Sequence, residues 1–222
     1  MTKKLNSVSK GIINRRSLLA SALALAALPA YARSKADRPL DEVFSKGSAQ
    51  DIAARAKQPN VYLLRGFGDI FSTGIDEIGA SLQAAGVDAQ VKSHTAWRLV
   101  ANRIVSDRQK YGRQATVLIG HSLGANAIIS IAEVLEKQNI RVDYMASFAA
   151  TAPDPLPGNI RRVVNFYFSQ HGWGRALVPG PGFKGKLDNR DFSDVKNVGH
   201  FNIEKQKSLQ TEVIRDVLRI VK

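Results

Sequence analysis

The residues of this chain best suited to chemistry are the run GHSLG at 120–124, which fits the pattern G-x-S-x-G. An apolar, β-branched run at 115–119 precedes it, and apolar residues at every fourth position follow it. This pattern predicts a strand, a tight turn and a helix, in that order. The glycines let the turn close sharply, with the serine hydroxyl held out at the end of the strand. Ser122 is therefore predicted to be a nucleophile beside a helix N-terminus that would stabilise an oxyanion.

Around this turn, strand-like and helix-like segments alternate along the chain. The predicted strands are 60–64, 87–93, 115–119, 141–149 and 162–168, and the predicted helices are 73–85, 97–111, the segment after Ser122, and 203–221. Such alternation favours an α/β fold, a mostly parallel sheet with helices on both faces. Right-handed crossovers then bring the carboxyl ends of the strands, and with them the site, to one edge of the sheet.

The GHSLG run and the Ala125 that follows it resemble the nucleophile elbow of the α/β-hydrolases, in particular their lipase and esterase branch. The resemblance covers most of residues 58–222 and is to a compact version of the fold, without the first antiparallel strands or a large cap. It implies a serine, an acid and a histidine in that chain order, and an oxyanion hole made of two backbone N–H groups. Such an enzyme needs no metal or organic cofactor.

Four histidines could supply the base, because imidazole accepts a proton near neutral pH and can return it to a leaving group. His200 lies in a loop just before the last predicted helix, where the resemblance places the base, and it is predicted to have that role. His121 stands beside the nucleophile and fits a packed turn residue better. His94 precedes Ser122 in the chain, and His171 is a possible substrate-loop residue.

The acid has several candidates. The resemblance places it after the strand 162–168, but no Asp or Glu occurs between Asp154 and Asp188. Asp154 follows the strand 141–149 and is flanked by prolines that would hold it rigidly, and some lipases carry their acid one strand early. Asp154 is therefore predicted to be the acid. The alternatives are Asp191, then Asp188 and Asp194, and a site without an acid.

Two loops are predicted to complete the site. Glycines flank Phe67 in the loop after the first strand, so its backbone could approach an oxyanion closely. The N–H groups of Phe67 and Leu123 are therefore predicted to form the oxyanion hole. The Gly- and Pro-rich segment 172–183 is predicted to be an irregular loop, which either lines an acyl pocket or packs on itself. Its apolar residues are Trp173, Leu177 and Phe183.

Residues 1–32 have the three-part layout of a secretory signal peptide. Five basic residues and no acidic one precede an uncharged apolar run, which ends in the small-x-small sequence Ala-Tyr-Ala at 30–32. The apolar run is too short to span a bilayer, and the paired arginines at 15–16 resemble a twin-arginine export signal. The predicted organisation is a signal peptide at 1–32, an N-terminal extension at 33–57 and an α/β-hydrolase domain at 58–222. The mature protein is predicted to be periplasmic or secreted.

The charge and cysteine content of the chain limit the kinds of partner that it is expected to bind. The leader carries five of the 32 basic residues and none of the 19 acidic ones, which leaves 27 against 19, a formal charge of +8. Such a balance fits a solvated surface and weak contact with an anionic envelope surface. No basic run with interleaved aromatic residues indicates nucleic acid. The absence of cysteine excludes disulfides, a thiol nucleophile and thiolate metal sites.

Together these features predict an exported serine hydrolase that cleaves a small-molecule or lipid-like ester or thioester through an acyl-enzyme intermediate. Two alternatives stay open. An acyltransferase would use the same serine but pass the acyl group to an alcohol instead of water. A non-catalytic envelope-binding module on a hydrolase scaffold would explain why no carboxylate follows the strand 162–168.

Overall fold

Helices and strands alternate along the chain in this computed structural model, which describes residues 49–170 and 173–222. The predicted signal peptide and residues 33–48 of the predicted extension lie outside the described residues. From Ser48 to Lys222 the chain forms one compact unit. Over the described ranges, no helix combines the length and apolar character that crossing a membrane requires.

The secondary structure comprises six strands and five α-helices in the described ranges. The strands are β1 (Asn60–Arg65), β2 (Ala89–Ser93), β3 (Thr116–His121), β4 (Tyr144–Phe148), β5 (Arg162–Tyr167) and β6 (Lys186–Asp191). The helices are α1 (Ala49–Ala56), α2 (Thr73–Ala84), α3 (Trp97–Tyr111), α4 (Leu123–Lys137) and α5 (Lys207–Val221). Short 3₁₀ helices precede α3 and α5, at His94–Ala96 and Ile203–Lys205.

All six strands are parallel and lie in the order β2-β1-β3-β4-β5-β6. The strand order changes direction between β1 and β3, where Leu64 is paired with Gly120. In open α/β sheets, ligands bind outside the carboxyl ends of the strands at such a point. The predicted fold class is confirmed, and the elbow lies at the position that this topology favours for a site.

Helices cover both faces of the sheet, so the central strands β1, β3, β4 and β5 are buried on both sides. Leu64 and Leu118 belong to one apolar layer, together with residues of α3 and α4. Leu63 and Ile119 belong to the other layer, together with residues of α2 and α5. Successive side chains of a strand point to opposite faces, and burial on both faces explains why these strands read as continuous apolar runs.

Strand β6 is the one strand of the described sheet that the hydrophobic pattern does not predict, and helix α1 is not predicted either. Its sequence KLDNRD contains one apolar residue, Leu187, and most of its side chains are partly or fully exposed. Among the described strands it lies at the edge and pairs with β5 alone, and edge strands commonly carry charged residues. The structure also divides the predicted helix 203–221 into two parts, because the extended backbone of Gln206 separates the 3₁₀ helix Ile203–Lys205 from α5.

Helix α1 lies within the segment that was assigned to the N-terminal extension. Its Arg55 donates a hydrogen bond of 2.9 Å to Asp107 on α3, whose carboxylate is buried. Asp107 also pairs with Arg103 one turn earlier on the same helix. This ion-pair group ties α1 to α3, while the boundary at residue 58 stays a prediction.

Candidate active site

The turn between β3 and α4 holds Ser122 in a strained backbone conformation. Its φ of 57° and ψ of −122° are uncommon for a residue with a side chain. The flanking glycines make this geometry possible, because a Cβ at Gly120 would overlap Gly124 and a Cβ at Gly124 would overlap the carbonyl of Leu64. The sharp strand-to-helix turn of a nucleophile elbow is therefore present.

His200 lies against this serine. Its Nε2 is 3.0 Å from Ser122 Oγ, and each residue is only 8% exposed. Burial lowers the pKa of the His200 imidazole below its ordinary value of 6.5, so the ring is neutral at pH 7. A neutral imidazole at this distance can accept the hydroxyl proton, and the structure thus brings together the predicted nucleophile and the predicted base.

A main-chain carbonyl lies at the other ring nitrogen of His200. When Nε2 accepts the serine proton, Nδ1 carries the ring hydrogen and donates it to the carbonyl oxygen of Trp173 at 3.3 Å. In a serine triad a carboxylate occupies this position. No side-chain pattern in the sequence could identify this group, because it belongs to the backbone.

Asp154, the predicted acid, is not brought to His200. The loop after β4 is anchored at Leu156, whose N–H donates to the carbonyl of Val178 at 2.8 Å. Asp154 lies exposed on this loop, and its charge acts on Glu133 of α4. Burial is the main cause of the raised pKa of Glu133, and Asp154 is the second. No hydrogen bond of the described residues joins Asp154 to His200.

The three alternative aspartates also have other partners. Asp191 accepts hydrogen bonds from the hydroxyl and the N–H of Ser193, at 2.7 and 2.9 Å, and from the N–H of Ser169 at 3.2 Å. Hydrogen bonding by Ser169 and then Ser193 holds the pKa of the Asp191 carboxyl well below its usual range. Asp188 forms an ion pair within β6, and Asp194 accepts a bond from a glutamine side chain at 3.3 Å.

The two residues predicted to form the oxyanion hole line the same cavity as Ser122. Leu123 is the first residue of α4, and Phe67 follows Gly66 in the loop after β1. A Cβ on Gly66 would lie 2.9 Å from Ser122 Cβ, so this loop packs directly against the nucleophile. Within the described residues, neither the N–H of Phe67 nor that of Leu123 has a hydrogen-bond partner.

The cavity in front of Ser122 has a volume of about 600 Å³ and an aromatic rim. None of its lining residues is Lys, Arg, Asp or Glu. The aromatic lining residues are Phe67, Phe71, Trp173 and Phe201. Of the three apolar residues in the predicted loop 172–183, Trp173 lines this cavity, whereas Leu177 and Phe183 pack into the layer with α3 and α4.

Neither His94 nor His121 forms a hydrogen bond with the hydroxyl of Ser122. His94 Nδ1 lies 3.1 Å from the carbonyl oxygen of Gly66, at the edge of the same loop. His121 is 1% exposed, as expected for a packed turn residue. His171 lies outside the described residues. Across residues 49–170 and 173–222, no group of three His, Cys, Asp or Glu side chains could hold a metal ion.

Comparisons with known proteins find solved structures with a similar fold. No protein-family model matches the chain, nor does any curated protein sequence. A candidate hydrolase of the alpha/beta superfamily from Xanthomonas campestris pv. campestris is 14% identical, with 73% of this chain and 99% of that chain covered and a TM-score of 0.43. The type II thioesterase BorB of the borrelidin biosynthetic cluster is 12% identical, with 74% and 93% covered and a TM-score of 0.46.

A third structure is a protein of unknown function from Agrobacterium tumefaciens, which is 16% identical, with 75% and 93% covered and a TM-score of 0.40. The sheet order and the Ser122 elbow of this chain are themselves those of an α/β-hydrolase-like fold, and all strands within the described residues are parallel. Fold alone does not establish an activity, which has to follow from the site.

Proposed function

We propose that this chain is a serine hydrolase that cleaves a carboxylic ester or thioester through an acyl-enzyme intermediate. The observation that carries the proposal is the 3.0 Å contact between Ser122 Oγ and His200 Nε2 at a strained strand-to-helix turn. A serine hydroxyl is a weak nucleophile until an adjacent base takes its proton. The contact supplies that base inside a cavity large enough for a substrate.

The reaction proceeds in two halves. Ser122 Oγ bonds to the carbonyl carbon while its proton passes to His200 Nε2, and the N–H groups of Phe67 and Leu123 stabilise the resulting oxyanion. The intermediate collapses as the bond to the leaving group breaks, and that group takes the proton from Nε2. Water then attacks the acyl-enzyme in the same way, with His200 again accepting and returning the proton.

The base works without a carboxylate in this scheme. The carbonyl of Trp173 holds the proton on Nδ1, which keeps Nε2 free to accept one from Ser122. A neutral carbonyl oxygen stabilises the imidazolium less than a carboxylate would. We therefore propose a Ser122–His200 dyad with a main-chain acceptor in the position of the acid.

The cavity favours an uncharged acyl group. Its rim is aromatic, and its lining residues include no Lys, Arg, Asp or Glu to pair with a charged acyl group. Burial of apolar surface would supply the binding energy, at roughly 25 cal/mol per Å². An ester or thioester of an apolar acid is the substrate class that fits this lining.

A fluorophosphonate tests the proposal, because it labels only a serine that a neighbouring base has activated. The wild-type protein should gain one phosphonyl group, and mass spectrometry of the digest should place it on Ser122. The Ser122→Ala variant should gain none. A wild-type protein that stays unlabelled, or is labelled at another serine, would refute the proposed function.

We further propose that the enzyme acts outside the cytoplasm. The support is the charge and hydropathy pattern of residues 1–32, with a basic segment, an apolar run and a small-x-small end. The mature chain would begin at Arg33.

A further inference from the structure

A buried series of hydrogen bonds joins the three loops that form the site. The N–H of Gly66 donates to Ser72 Oγ at 2.9 Å, and Ser72 Oγ is 2.8 Å from His121 Nδ1. His121 Nε2 is in turn 2.8 Å from the carbonyl oxygen of His200. Ser72, His121 and His200 are at most 8% exposed, so these contacts are shielded from water. The series runs from the predicted oxyanion loop through the elbow to the base.

The direction of each bond follows from the chemistry of its atoms. The carbonyl of His200 can only accept, so the proton of His121 lies on Nε2. Burial lowers the pKa of His121 to about 4, so the ring is neutral at pH 7 and its Nδ1 is an acceptor. Ser72 therefore donates its hydroxyl hydrogen to Nδ1 and accepts the N–H of Gly66. With the other tautomer, two acceptors would face each other at 2.8 Å.

Glu204 favours the same tautomer. Its carboxylate is fully buried, and Oε2 lies 3.7 Å from His121 Nε2. Burial raises the pKa of Glu204 to about 7, so Glu204 and His121 are both uncharged between about pH 4 and 7 and their contact is not an ion pair. A carboxyl oxygen on this side of the ring nevertheless attracts a hydrogen on Nε2 and disfavours one on Nδ1.

We propose that His121 is the positioning residue of this site, holding the main chain of His200 so that its ring reaches Ser122. The inference rests on the proposed function. In a triad the carboxylate orients the base ring, but here the one hydrogen bond to Nδ1 from the described residues is the 3.3 Å contact with the carbonyl of Trp173. Aromatic rings also pack against the imidazole, at centroid distances of 5.0 to 5.2 Å, but they form no hydrogen bond with it. With no carboxylate at Nδ1, the position of the imidazole depends more strongly on where the main chain of His200 is held, and the 2.8 Å bond from His121 holds that main chain.

Two substitutions of His121 separate its two bonds. In His121→Gln the side-chain amide extends to the position of Nε2 and can still donate to the carbonyl of His200. In His121→Asn the shorter amide reaches only the position of Nδ1, which keeps the contact with Ser72 and loses the one with His200. A misplacement of about 1 Å near reacting groups can cost on the order of a hundredfold in rate.

The expected result is a difference between the two amides. His121→Asn should lower kcat by roughly 10- to 100-fold with KM nearly unchanged, and should slow fluorophosphonate labelling of Ser122 per folded molecule by a similar factor. His121→Gln should stay within a few-fold of wild type. Asn159→Ala is the matched control, since it removes bonds of 2.9 and 2.8 Å to Ala132 and Ile140, which lie outside the site. It should lower Tm and leave the labelling rate per folded molecule unchanged.

Other outcomes would overturn the inference. If both His121 variants have a lowered Tm, as Asn159→Ala does, but Ser122 in them is labelled at the wild-type rate per folded molecule, His121 contributes only to stability. If His121→Asn does not fold, a folded His121→Gln variant that labels more than tenfold slower than wild type also contradicts the proposed role of the His200 bond. An unlabelled wild-type protein would instead refute the proposed function itself.

Discussion

At the residue scale, backbone groups orient the base from two sides. The carbonyl of Trp173 lies at Nδ1 of the His200 ring, and His121 donates to the carbonyl of His200 itself. Side-chain types and chain order point to Ser122 and His200, because a nucleophile and a base require particular residues. They do not point to Trp173, because every residue has a carbonyl oxygen and only the fold determines which one faces the ring.

Replacement of Ser122 by alanine should abolish turnover and leave the fold intact. The serine side chain is small and faces the cavity, so its loss removes the nucleophile without opening the core. In comparable sites the loss of the nucleophile costs on the order of a millionfold in kcat. Hydrolysis of a p-nitrophenyl ester gives the rate, and circular dichroism checks the fold. Turnover by a folded variant at the wild-type rate would mean that another group attacks the substrate.

Replacement of Asp154 by asparagine should change kcat only a few-fold. The carboxylate is exposed, makes no hydrogen bond to His200 and lies in a Pro-flanked irregular segment, where an asparagine of the same size is expected to fit. A triad aspartate replaced in this way costs about ten-thousandfold. The kcat of Asp154→Asn should be compared with that of Asp191→Asn at neutral pH. A loss of three orders of magnitude at Asp154 would restore the predicted triad and exclude the dyad.

At the element scale, the periodicity of apolar residues is sufficient to predict β1 to β5 and the helices that cover them. Burial on both faces favours apolar runs in the central strands β1, β3, β4 and β5, and such runs are visible in the sequence, whereas the edge strand β2 (AQVKS) is only partly buried. The side chains of strand β6 are all partly or fully exposed, and its sequence KLDNRD resembles that of a polar loop. This element also carries Asp188 and Asp191, whose hydrogen bonds and ion pairs go to residues other than His200.

The elbow should not tolerate a methyl group at Gly124. A Cβ there would overlap the carbonyl oxygen of Leu64 at the end of β1, and neither backbone can move without disturbing the sheet. Gly124→Ala should therefore reduce the free energy of unfolding by about 1–3 kcal/mol or more, as overpacking does. Activity should fall with it, because α4 carries the N–H of Leu123. Urea unfolding measures the effect, and a variant as stable as wild type would show that α4 can shift away from β1.

At the scale of the whole molecule, the leader should be removed on export. Cleavage after Ala32 fits the small-x-small rule and would leave Arg33 as the N-terminus. N-terminal sequencing of protein from the cell envelope tests this prediction. A chain that retains Met1 in the membrane fraction would show that the apolar run serves as an anchor, and replacement of Arg15 and Arg16 by lysine would test the twin-arginine route.

Glu204 links the stability of the whole molecule to pH. Burial raises the pKa of its carboxyl from 4.5 to about 7, since the charged form would lose water inside the fold. Lys205, with Nζ 3.9 Å from Oε1, opposes this shift, and Glu77 adds to it. The backbone N–H groups of Glu204 and Gly74 also lower this pKa, but neither carboxylate oxygen has a full hydrogen bond within the described residues, and burial outweighs these contributions. The folded state therefore holds the proton of Glu204 more tightly than the unfolded chain does.

Replacement of Glu204 by glutamine should remove this dependence. Between pH 4.5 and 7 the folded wild-type protein binds more protons than the unfolded chain, so its free energy of unfolding falls as pH rises and stays low above pH 7. A shift from 4.5 to about 7 corresponds to a loss of about 3 kcal/mol. Glutamine cannot ionise, so the stability of Glu204→Gln relative to wild type should rise by up to that amount between pH 4.5 and pH 8. The titration of His121 occurs in both proteins and largely cancels in the comparison. Urea unfolding of both at the two pH values measures the difference, and a difference that does not change with pH would show that Glu204 is already ionised in the folded protein throughout this range.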